Sequence, residues 1–117
     1  MQENKKINYI EFSAPDQNTL NRTTEFYTKV FGWNYKYWGD EYADTSDSGV
    51  SSGFNATVDQ KNSAPLIVLY TENLEATKAE IAATGVEITV DIFSFPGGRR
   101  FHFKDPAGNE LGVWSDH

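Results

Sequence analysis

The sequence predicts an α+β fold: two βαβββ modules forming one curved mixed sheet with the helices outside. Three observations carry this reading. Several short stretches alternate apolar and polar residues with a period of two, as half-buried strands do. Two segments carry apolar residues at helical spacing, each behind a strand and each followed by a glycine, Gly32 or Gly85. The order of these features in the first half of the chain is repeated in the second, and neither half could bury a sheet face well alone.

Each element follows in turn. "INYIEFSA" alternates Ile10, Phe12 and Ala14 against Tyr9, Glu11 and Ser13, which makes a first strand. Asp16 or Asn18 can cap the helix behind it, and Leu20, Tyr27, Val30 and Phe31 supply its apolar stripe. Gly32 stands where a left-handed helix exit is expected. "WNYKYW" reads as a strand with Trp33, Tyr35 and Tyr37 on one face. "GDEYADTSDSG" reads as a turn-rich connection or edge hairpin, its acids Asp40, Glu41, Asp44 and Asp47 forming a solvated loop that could cover a cavity. "SSGFNATV" is a further strand.

The second module opens with "PLIVLYT", in which Ile67 and Leu69 oppose Leu66, Val68 and Tyr70. Asn73 is a natural N-cap, and Leu74, Ile81 and Ala82 form the apolar stripe of a second helix. "VEITVDIFSF" and "RRFHF" are strands joined by a "PGG" turn, and "ELGVW" is the last strand behind the turn "DPAGN". Matching Ile10 with Ile67 and Gly32 with Gly85 leaves the first interval longer by about one helical turn, so the first helix is the longer. The modules span about 7–60 and 64–115 of a single domain covering residues 1–117.

Composition narrows the function. The net charge is −7, and nucleic-acid binding would leave a basic footprint that this chain lacks. No apolar run approaches the ~20 residues that span a bilayer, and the first ten residues lack the apolar core of a secretory signal. The absence of cysteine excludes disulfides, thiolate metal sites and a cysteine nucleophile, and fits a cytoplasmic protein. The 8 Phe, 6 Tyr and 3 Trp read first as core filling, and their number makes an aromatic-lined cavity the second reading.

The alternation also sorts residues by face. Ile10, Phe12, Ile67, Leu69, Leu111 and Val113 belong to the helix side. The concave side takes Tyr9, Glu11, Ser13, Leu66, Val68, Tyr70, Gly112 and Trp114, joined by Arg100 and His102. These ten are the candidate ligand-binding residues, with Glu11 and His102 the candidates for acid–base catalysis. Gly112 is unexpected mid-strand, where glycine weakens pairing and often marks close approach of something else. "PGGRR" lacks the phosphate-loop pattern and joins two strands, although Arg99 and Arg100 could meet an anionic ligand.

Taken together, the paired modules, "FYTKVFGW" and "FKDPAGNELGVW" resemble the vicinal oxygen chelate superfamily, which includes glyoxalase I, the bleomycin-resistance proteins and the extradiol dioxygenases. The resemblance covers roughly residues 7–115 and is nearest to the small glyoxalase-like branch, which "INYIEF" and "TENLEAT" also resemble. It implies a glyoxalase-like fold, with Phe26, Tyr27 and Phe31 anchoring the first helix on the sheet. A homodimer and a small-molecule ligand are implied as well. In metal-using members of the superfamily, His, Gln or Glu on the concave face hold one divalent ion that acts as a Lewis acid. The corresponding positions here fall on Tyr9, or Asn8 if the register slips, Leu66, Gly112 and the stretch from Gly53 to Asn55. None offers a histidine or carboxylate, so no metal or other cofactor is expected. Glu11, His102 and Glu110 could form a different site.

The resemblance therefore leads to a protein that binds a small aromatic or polar organic molecule in the sheet cavity, with the usual metal site lost. If Trp114 and Leu66 fill that cavity, a structural or interaction domain remains. The enzymatic alternative is a metal-dependent lyase, isomerase or dioxygenase, of the lactoylglutathione lyase or dioxygenase type. A metal-free acid–base enzyme using Glu11 or His102 is the third reading.

Overall fold

The computed structural model describes residues 3–57 and 64–117. Its elements run β1 (Lys6–Ser13), α1 (Gln17–Phe31), β2 (Lys36–Tyr37), β3 (Tyr42–Thr45), β4 (Ser51–Asn55), β5 (Leu66–Tyr70), α2 (Leu74–Ala83), β6 (Ile88–Phe95), β7 (Gly98–Lys104) and β8 (Glu110–Ser115). This is the βαβββ order twice over. The chain forms two compact units, one from Tyr9 to Leu66, the other from Ile67 to His117 together with the segment up to Asn8. Val58, the end of the expected strand "SSGFNATV", lies outside the described residues. Among the described residues, no helix is long and apolar enough to cross a membrane.

In the first unit β1 pairs in parallel with β4, β4 antiparallel with β3, and β3 antiparallel with β2. One face carries α1 on a core of Ala14, Leu20, Ala43, Phe54 and Ala56, with Phe12, Tyr27 and Tyr35 packed against it. Phe12 stacks on Phe54 at 5.2 Å, the alternation of β1 and β4 having sent both rings to the helix side. Asp16 caps α1 by accepting from the Thr19 amide at 2.7 Å. Gly32 ends the helix at φ 78°, a left-handed conformation a side chain would oppose, and its amide reaches the Thr28 carbonyl.

Two expectations fail in this unit. "WNYKYW" is not a full strand: only Lys36 and Tyr37 pair, because Trp33 stacks flat on Tyr27 at 5.1 Å and Tyr35 turns into the helix-side core. Nor do Phe26, Val30 and Phe31 anchor α1 on the sheet, being 52%, 55% and 58% exposed. The stripe that packs on the sheet is buried Leu20 and Thr24 with half-buried Tyr27, spaced four and then three apart, and Thr24 satisfies its hydroxyl on Asn21 and Tyr37. Phe31 lies on the last turn, where it stacks on Tyr27 and Trp33 instead.

In the second unit β5 pairs in parallel with β8, which pairs antiparallel with β7, and β7 with β6. Leu74, Phe101 and Val113 form the core beneath α2, with Ile81, Ile88, Ile92 and Phe103 around them. Ala82, expected in the stripe of α2, is exposed. Asn73 caps α2 on the Ala76 amide. The β7–β8 turn is closed by Asp105, whose carboxylate accepts from the Asn109 amide at 2.9 Å, while Gly108 alone takes the left-handed position.

Candidate functional site

The first unit presents Tyr9, Glu11 and Ser13 on the face of β1 opposite α1, since Phe12 and Ala14 belong to the helix-side core. Glu11 is fully buried. Its Oε1 accepts from the Tyr42 hydroxyl at 2.9 Å, and Tyr42 in turn lies 2.7 Å from the Tyr9 hydroxyl. With the single Tyr42 proton directed at Glu11, Tyr9 is the donor of the second bond. Burial, then the Glu11 charge, then Tyr9, raise the Tyr42 phenol far above its ordinary range, so it stays protonated and keeps donating.

Gly53, paired with Glu11 in the ladder, explains why this cluster fits. A Cβ built on Gly53 would stand 2.0 Å from the Tyr9 hydroxyl and 3.0 Å from the Ala43 carbonyl. The volume a side chain would need is filled by Tyr9. Ser13, half-buried, lies beside Asn55, whose Oδ1 accepts from the Thr57 amide. Leu66 is buried. Tyr9 also lines a cleft of about 390 Å³, together with Lys36, Asp44 and Ser51. Asp44 is no free loop acid: it belongs to β3 and accepts from the Trp38 indole at 3.1 Å. Asp47 likewise holds the Asn34 amide.

The second unit brings the other candidates onto the face of its sheet opposite α2. Val68 pairs with Gly112 and Tyr70 with Trp114, and across β8 stand His102 and Arg100 at the same two levels. Tyr70 meets Trp114 edge-on at 5.1 Å and donates to Asp116 at 2.6 Å, while the Trp114 indole donates to Asn8. The Arg100 guanidinium lies over Phe93 at 5.2 Å and Phe95 at 5.8 Å. His102 is buried, packs on the edge of Phe93, and its Nδ1 lies 3.3 Å from Glu110, which also accepts from Thr89 at 2.8 Å. Gly112 brings no side chain beside His102, which leaves the imidazole its diagonal path to Glu110.

Sequence reasoning missed Tyr42, Phe93 and Phe95. Tyr42 lay in a stretch rich in acids, though the alternation of "YADT" was its signal. Phe93 and Phe95 follow register shifts in β6 between Ile88 and Val90 and between Val90 and Phe93, which destroy the period of two.

The sequence model of the glyoxalase/bleomycin resistance protein/dioxygenase superfamily matches residues 6–113. The chain belongs to this superfamily. Among curated proteins, no relative matches it. Solved structures share the fold at low identity. One is described as an NAD-dependent benzaldehyde dehydrogenase from Legionella pneumophila, with TM-score 0.73 and 12% identity over 92% of this chain and 96% of that one. A Mn(II)-bound glyoxalase from Novosphingobium aromaticivorans gives 0.68 and 19% over 99% of this chain, which spans 40% of that protein. A Streptomyces coelicolor methylmalonyl-CoA epimerase in complex with 2-nitronate-propionyl-CoA gives 0.67 and 19% over 97% and 98%.

The positions that the resemblance assigns to a divalent ion in metal-dependent superfamily members carry no histidine or carboxylate in this chain. At the positions implied by the resemblance stand the Tyr9 phenol engaged with Tyr42, or Asn8 engaged by the Trp114 indole, the hydrocarbon of Leu66, Gly112, and the stretch from Gly53 to Asn55, where Tyr9 occupies the side-chain volume of Gly53. Among the described residues, no three His, Cys, Asp or Glu side chains gather to hold a metal ion.

Proposed function

We propose that this superfamily member binds a small organic molecule without a metal ion, on the sheet face of the second unit that carries Trp114. The donor set carries the reading: where metal-using members place His, Gln or Glu, this chain has phenol, hydrocarbon and glycine, while the face keeps rings and a cation. Trp114, Phe93 and Phe95 offer apolar ring contact, backed by buried Tyr70, and Arg100 lying over Phe93 and Phe95 adds a cation beside the rings. His102, oriented by Glu110, adds a polar group at the same face. The ligand class is therefore an aromatic molecule bearing an anionic or strongly polar substituent.

The test is a thermal-shift screen of aromatic acids, because a ligand confined to the native state raises its stability by mass action. A hit is expected to raise Tm in the parent and to lose its effect in Trp114→Ala and Arg100→Gln. Metal analysis of protein purified without chelator runs alongside. A stoichiometric divalent ion would replace this reading with a metal-dependent lyase, isomerase or dioxygenase.

A further inference from the structure

A second cleft lies on the opposite side of the second unit, between α2 and the sheet. Its volume is about 250 Å³. Leu69, Ile81, Phe103 and Val113 give it hydrocarbon walls, and the first three remain only half-buried, although Ile81 and Phe103 pack against the core. The under-filling has a cause in the sequence. α2 is short and rich in alanine, and places Thr77 and Glu80 where larger apolar residues would close the gap.

Two polar features are built around these walls. Thr71, buried, and Thr77 share a hydrogen bond of 2.7 Å. At the exposed rim, Lys5 forms an ion pair with Glu80 at 3.5 Å. Lys5 is the one described non-glycine residue with positive φ, at 61°, a conformation disfavoured for a residue with a side chain. The segment is held there by the Lys5 amide on the Tyr70 carbonyl at 2.7 Å and by Asn4 accepting from the Glu72 amide at 2.8 Å. Residues 4 and 5 thus form a strap tied to the end of β5, with the lysine side chain across the rim.

We infer that this cleft is a binding site for a small, mostly apolar molecule bearing one hydroxyl group, separate from the Trp114 face. Dry hydrocarbon cavities of about 150 Å³ already accept benzene, so the volume suffices for a substituted ring. The Thr71 hydroxyl is already engaged by Thr77 and by the Asn73 carbonyl and amide, so the hydroxyl of the guest donates to Thr77 Oγ1, which has acceptor capacity beyond the proton it gives Thr71. The Lys5–Glu80 pair closes the polar side of the mouth.

Phenol and benzene are the probes, followed by methyl NMR of the full chain. Phenol is expected to shift the Leu69, Ile81 and Val113 methyls saturably, and to bind roughly fivefold more tightly than benzene, the worth of about one hydrogen bond. Thr77→Val keeps the shape, so it retains benzene binding and narrows the preference for phenol. Ile81→Phe fills the cleft and abolishes both. The Trp114 indole resonance stays unmoved in every titration, which separates this site from the proposed ligand face. The inference is overturned if phenol moves Trp114 rather than the three methyls, if no saturable shift occurs in the parent, or if Thr77→Val leaves the preference intact. Because Thr77→Val is nearly isosteric, that last result stands even should Ile81→Phe fail to fold.

Discussion

Gly53 and Tyr9 share one volume, and that sharing is open to measurement. A methyl group on Gly53 meets the Tyr9 hydroxyl at 2.0 Å, a separation that forces movement. Gly53→Ala is expected to destabilise by about 1–3 kcal/mol, the usual range for overpacking. Tyr9→Phe removes one hydrogen bond to Tyr42 and is expected to cost about 1 kcal/mol. Combined, they should cost less than their sum, because the phenylalanine vacates the space the new methyl needs. Relief is incomplete, since the Ala43 carbonyl at 3.0 Å and Tyr42 Cε1 at 3.1 Å also crowd the methyl. Urea denaturation of the four proteins measures the cycle, and strict additivity would refute the shared volume. Tyr9 and Glu11 could be placed from their alternation in β1. Their partner Tyr42 is harder to place: the alternation of "YADT" marks its strand, but the hydrogen bond joins residues 31 apart, which no local pattern announces.

At the scale of elements, legibility tracked how local the determining forces are. Both helix starts were readable, because an N-cap acts on an amide three residues away, as Asp16 does on Thr19 and Asn73 on Ala76. The strand expected from Trp33 to Trp38 was misread, because its alternation was overruled by ring stacking against α1. The faces of β6 were lost to its register shifts. The β7–β8 turn was legible for the same local reason as the caps, and it yields a pH prediction. The Asn109 amide first, and its side chain second, hold the Asp105 carboxyl below the ordinary aspartate value of 3.8. A carboxyl lowered in the folded state contributes stability above its unfolded value, and that contribution vanishes as pH falls through the folded one. Stability should therefore drop below about pH 4, with Asp105 responsible for part of the acid limb. In Asp105→Asn this limb should be shallower, read from denaturation midpoints between about pH 2 and 5. An unchanged limb would mean that the turn does not bind its carboxylate preferentially.

For the molecule as a whole, the family could be recognised from sequence because its signature motifs are also structural ones, a helix exit at Gly32 and a hairpin turn at Asp105. The same motifs are silent about chemistry, which depends on a handful of positions that any residue of suitable size can occupy without disturbing the fold. The donor set leads to one last expectation. A protein that needs a divalent ion in its native site loses the stabilisation that ion supplies when it is stripped, and regains it on reloading. This chain should behave otherwise: dialysis against EDTA should leave Tm unchanged, and adding Mn²⁺ or Zn²⁺ at about a hundred times a micromolar Kd should not add the stability of about 2.7 kcal/mol that specific binding would supply. Repeating the measurement with Gly112→Glu asks whether one missing donor is what separates this chain from metal-using members. No recovery is expected, because the phenol of Tyr9 remains committed to Tyr42 and the hydrocarbon of Leu66 supplies no electron pair. A Tm gain with Mn²⁺ in that variant, absent from the parent, would show that the remaining donors were already poised for an ion.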